Sequence, residues 1–75
     1  MNKDLILLRA KILCEMDKYI LNTIGDEEIT EVWLMGGVPD GSTMDDILVI
    51  AKDDTTWLWC VECFAKCCRM AGVIE

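Results

Sequence analysis

The stretch from Thr55 to Gly72, TTWLWCVECFAKCCRMAG, admits few folds. Its only charges, Glu62, Lys66 and Arg69, recur at spacings of four and three, which is one narrow stripe of a 3.6-residue helix. Trp57, Cys60, Phe64, Cys67 and Ala71 lie opposite that stripe. Val61 and Cys68 flank them on one side, and Cys63 and Met70 on the other. A helix wettable over so little of its circumference must be covered over most of the rest. Asp54 or Thr55 can cap its first free amides, Glu62 stands in the favourable ion-pair order four residues before Lys66, and Gly72 closes it. A rival parse makes residues 56–61 a strand, because Thr, Trp and Val all favour sheets.

What covers this helix must come from the remaining residues of a 75-residue chain. With 53% apolar residues the sequence lies far from the composition of disorder and implies a single domain over residues 1–75. At that size one core yields only a few kcal/mol of net stability, so association would help. From Asn2 to Ile24, the residues Leu5, Leu8, Ile12, Met16, Tyr19, Ile20 and Ile24 keep helical spacing, widened by Ile6 and Leu13. Gly25 follows as the stop. Asp4, Arg9 and Lys11 interrupt the run LILL too closely for an export signal or a membrane span, which points to the cytoplasm.

Between the two helices, ITEVWLM (29–35) is rich in β-branched and aromatic residues, and ILVIA (47–51) is an apolar run of strand length. Gly36, Gly37, Pro39, Asp40 and Gly41 supply turn chemistry between them, and Ser42 with Asp45 can cap one helical turn there. The expected architecture is therefore α+β: a small α-β-β-α domain with an antiparallel hairpin packed on two helices, or α-β-β-β-α if residues 56–61 are a strand. Both faces of such a hairpin are apolar. A homodimer, formed by joining sheet edges or by stacking faces around Trp33, is the simplest way to cover them.

Charge is the second constraint. Residues 26–54 hold nine carboxylates (Asp26, Glu27, Glu28, Glu31, Asp40, Asp45, Asp46, Asp53 and Asp54) against Lys52 alone, and the whole chain is net −7. Ordinary solvation of loops accounts for such a run. The functional reading is an acidic patch that repels DNA and RNA and is steered to basic protein surfaces, including those of nucleic-acid-binding complexes, where carboxylates occupy sites meant for phosphates. Trp33, Trp57 and Trp59 are candidate anchors, since tryptophan is enriched at binding hot spots, and Trp33 and Trp59 are placed within that contact surface. In size and composition, though in no motif, the chain is similar to the small acidic proteins with which phages block host or defence machinery, anti-CRISPR inhibitors and DNA mimics among them. That resemblance is one of class and carries no residue correspondence. The expectation is a protein-interaction module that occludes a basic surface; the alternative is a structural or regulatory homodimer whose acidity only keeps it in solution.

Cysteine chemistry is a third possibility. Cys60-Val61-Glu62-Cys63 has the C-x-x-C spacing of zinc and redox sites, with Cys67 and Cys68 nearby. Against it stand the absence of histidine, of a second C-x-x-C pair and of a glycine-rich knuckle, and Cys67 and Cys68 diverge by about 100° on a helix. An odd count of five cysteines without an export signal reads as reduced thiols that pack as small hydrophobes. Asp40, Ser42, Asp45 and Asp46 crowd one loop without the spacing of a calcium-binding loop. No histidine, nucleophile elbow or phosphate-binding glycine loop supports an enzyme, and no metal or cofactor is expected.

Overall fold

The computed structural model describes residues 2–75. It holds four helices and, among the described residues, no strand: α1, Lys3–Lys18, continued directly by a π-helical turn over Tyr19–Ile24; α2, Glu27–Gly36; α3, Met44–Lys52; and α4, Asp54–Met70. The two terminal helices stand where the periodicity places them. Asn2 caps α1 by accepting the Asp4 N–H at 2.7 Å, and Gly25, at φ 63°, ends its π-helical extension. The ion pair expected between Glu62 and Lys66 does not close; the two formed among the described residues are Arg9–Asp54 and Glu15–Lys18.

The α+β expectation is overturned, because both expected strands, 29–35 and 47–51, are helices, and so is the alternative strand at 56–61. The physical reason lies in the ends of the segments and in one charged residue. As a strand, ITEVWLM would place Glu31 on the face of Ile29 and Trp33. As a helix, it buries Ile29 and Trp33, half-buries Val32, and turns Glu27, Glu28, Glu31 and Met35 to solvent. Asp26 accepts the Ile29 N–H at 3.0 Å, which caps this helix, and Glu27 and Glu28 occupy its positively polarised first turn. In front of α3, Thr43 and Asp46 form a reciprocal capping box: the Asp46 N–H donates to the Thr43 hydroxyl at 3.3 Å, and the Thr43 N–H donates to the Asp46 carboxylate at 2.9 Å. The cap thus sits one residue beyond the Ser42/Asp45 pair read from the sequence. With no sheet among the described residues, neither edge joining nor stacking around Trp33 is available for self-association.

α1 packs on α3, α2 on α4, and α3 on α4. The core closes around Leu13, Ile20, Trp33, Cys60 and Cys67, each almost fully buried. Phe64 meets Trp33 and Tyr19 edge-on, at 6.0 and 5.9 Å between ring centres. A Cβ on Gly37 would run into the Trp33 ring, so the chain can leave α2 only through a glycine. α1 is turned by roughly 50–70° from the expected face: Leu13, Met16 and Ile20 are buried as expected, together with Ala10, while Leu5, Leu8 and Ile12 remain exposed. α3, foreseen as a strand, takes the side of α1 beside Ala10 and Leu7.

Candidate functional site

Seven of the nine carboxylates between residues 26 and 54 lie at an N-cap or in the first turn of α2, α3 or α4, where backbone amides and the helix dipole favour negative charge. The acidity of the segment follows largely from three helix starts falling within it. This divides the candidate contact residues into three groups, and the structure does not bring them onto one surface.

At the α3–α4 junction, Asp54 is neutralised by Arg9 at 2.8 Å. The same guanidinium donates to the Ala51 carbonyl at 3.3 Å and lies over the Trp57 ring at 5.2 Å. Asp53 accepts the Thr56 hydroxyl, which pulls its carboxyl below the usual range. At the start of α3, Asp46 is committed to the capping box, and the Thr43 amide and hydroxyl lower its pKa in the same way. Asp40 and Asp45 are exposed beside it. At the start of α2, Asp26, Glu27, Glu28 and Glu31 line one shallow surface, and none is in an ion pair among the described residues. This group belongs to the first half of α2, whereas Asp40, Asp45 and Asp46 belong to the loop after α2 and the start of α3.

Of the candidate anchors, Trp33 is 0% exposed, with its indole N–H donating to Asp17 Oδ1 at 2.8 Å, so it belongs to the core and not to a contact surface. Its place at the centre of the inner face of α2 follows once residues 27–36 are a helix. Trp59 is 65% exposed. It stands on one wall of an open groove of about 620 Å³ between α2 and α4, with Glu62, Lys66 and Arg69 along its own helix and Val32 and Met35 on the opposite wall. Met35 is 83% exposed, the most of any large apolar side chain in the described residues. Sequence reasoning missed this groove. The signal was present in the helical period, which aligns Glu28, Glu31 and Met35 on the outer stripe of α2, but it is invisible if the segment is read as a strand.

The five thiols are free; Cys60, Cys67 and Cys68 are buried, and Cys14 and Cys63 half-buried. Cys63 Sγ donates to the Val32 carbonyl at 3.7 Å and Cys67 Sγ to the Ile29 carbonyl at 3.8 Å, two weak bonds that stitch α4 to α2. Burial, with the neighbouring Cys63 adding to it, pushes the Cys67 thiol up from 9.0 to about 11. Burial also raises Cys60, Cys63 and Cys68. A raised thiol is a poor nucleophile and a poor metal ligand near neutral pH. Among the described residues no three His, Cys, Asp or Glu side chains converge to hold a metal ion, and no helix is long and apolar enough to cross a membrane.

No family model matches the chain, and no curated protein and no solved structure matches it.

Proposed function

We propose that this chain is a small, non-catalytic protein-interaction module, acting in the cytoplasm, that occludes a basic surface of a partner protein with the acidic start of α2. The observation that carries this reading is that Asp26, Glu27, Glu28 and Glu31 form one carboxylate group that makes no ion pair among the described residues. The exposed Met35 continues the outer stripe of α2, and the exposed Trp59 stands across the groove. Unneutralised charge beside exposed apolar anchors suits docking by electrostatic steering followed by burial of a few large side chains. A lysine- and arginine-rich surface built for phosphates offers complementary charge, whereas DNA and RNA themselves are repelled.

The test is a titration, followed by tryptophan emission, against a helical peptide of alternating lysine and leucine faces and against duplex DNA. Binding is expected for the peptide alone and weakens as salt shortens the screening length. Reversing Glu28 and Glu31 to lysine should abolish it, while reversing Asp40 and Asp45, an equal change in net charge, should weaken it only slightly. Equal losses from the two reversals would mean that diffuse charge and not this patch does the binding, and the reading would fail.

A further inference from the structure

The groove between α2 and α4 is lined by Val32 and Met35 of α2 and by Trp59, Glu62, Lys66 and Arg69 of α4, and the exposed outer stripe of α2 beside it holds Glu28 and Glu31, so the two helices present opposite charges that do not meet within one molecule. Lys66 and Arg69 on α4 pair with no carboxylate among the described residues, and Glu28 and Glu31 on α2 pair with no cation. The two helices run antiparallel. The Ile29 carbonyl meets Cys67, the Val32 carbonyl meets Cys63, and Gly36 lies against Cys63 so closely that a Cβ there would stand 3.0 Å from Sγ. On that register Glu28 lies level with Arg69, Glu31 with Lys66, and Met35 with Glu62, one turn of α4 from Trp59.

We propose that a second copy of this chain docks in this groove about a two-fold axis running along it. Such a rotation exchanges the walls and keeps the level, so α2 of each copy lies over α4 of the other. Glu31 then faces the partner's Lys66 and Glu28 faces the partner's Arg69, each contact made twice, as an isologous interface requires, and Met35 lies beside the partner's Glu62, within a turn of the partner's Trp59. The α2 stripe carries two carboxylates and the α4 stripe two cations with Glu62, so the facing stripes are opposite in net charge.

The size of the surface sets the strength. With helix axes about 8–10 Å apart and α2 about 15 Å long, the face covers roughly 400–500 Å² per copy. The total of about 1,000 Å² is the size of a weak, reversible contact. The dimer buries the residues offered to a basic partner above, so dimer and complex exclude one another, but self-association does not depend on that reading and is measured without any partner.

Sedimentation equilibrium of the purified chain at low salt should show a monomer–dimer equilibrium in the micromolar range, weakening on addition of salt. The variants Glu28→Lys/Glu31→Lys and Lys66→Glu/Arg69→Glu should each dimerise roughly 50-fold more weakly, since each replaces four attractive contacts by repulsive ones. An equimolar mixture of the two should form a heterodimer, because acid then faces base at both contacts again. All four positions are exposed, and retained helical circular dichroism verifies folding; Trp59→Ser, which alters no charge, should weaken the dimer as well. A wild type that stays monomeric, single variants that dimerise like the wild type, or a mixture that stays monomeric overturns the proposal. A failed peptide titration with an intact dimer sinks only the partner reading.

Discussion

Two helix starts in this molecule are built from similar acidic runs and end in opposite electrostatic states. At the start of α4, Asp53 is spent on the Thr56 hydroxyl and Asp54 on Arg9, a residue 45 positions earlier in the chain. At the start of α2, Asp26 is spent on the backbone, while Glu27, Glu28 and the following Glu31 face solvent with no ion pair among the described residues. A run of carboxylates in a sequence therefore has two separable causes. One is local and general: helix N-termini attract negative charge. The other is what remains after caps and ion pairs are subtracted, and here that remainder gathers on the outer stripe of α2.

The comparison is open to test from three directions. The largest effect comes from the inner face of α2. Trp33→Ala removes a fully buried side chain that Phe64 and Gly37 are shaped around, and should cost about 3–5 kcal/mol in chemical denaturation, enough to unfold much of the population. A loss below about 1 kcal/mol would mean that α2 is not held by its buried face. Next, Arg9→Ala should cost about 1–2 kcal/mol, chiefly through lost packing on Trp57 and the lost bond to Ala51, because Asp54 is largely exposed and its ion pair is screened. Glu28→Gln with Glu31→Gln should change stability by no more than about 0.5 kcal/mol. Equal costs at the two sites would erase the distinction between a spent and an unspent acidic start.

The smallest effect is on pH. Asp46 and Asp53 have folded pKa values lowered from 3.8, so the unfolded chain binds protons first as the solution is acidified. Their contribution is complete above that value and is lost as pH falls below 3.8 through the folded values. Asp46→Asn should therefore flatten the decline of melting temperature below about pH 4 relative to the wild type. An unchanged slope would show that the capping box of α3 contributes nothing through its charge.

The terminal helices were legible because each carries a long periodic pattern, and the inward face of α4 through Cys60 and Cys67 follows from its single charged stripe. The middle was misread. ITEVWLM and ILVIA are short enough to satisfy either period, and their β-branched residues weigh towards strands. The acidic residues in front of them are helix-start signals that also read as loop punctuation. Glu31 between Ile29 and Trp33 was the decisive local clue, since a strand would have exposed it on the core face. Lost with that clue were the burial of Trp33, the outer stripe ending at Met35, and the groove opposite Trp59.

The order of the residues alone determined that helices hold the two ends of the chain and that its surplus negative charge is confined to residues 26–54. These are properties of composition and of patterns confined to one segment. Which carboxylates stay unpaired, which tryptophan is buried and which face of α1 turns inward were decided only by the tertiary structure. Each depends on a neighbour distant in the chain: Arg9 reaching Asp54, Phe64 meeting Trp33, and α3 taking the side of Ala10. Burial and ion pairing are set by distances in space, and for contacts across 31 to 45 residues those distances exist only once the helices have packed.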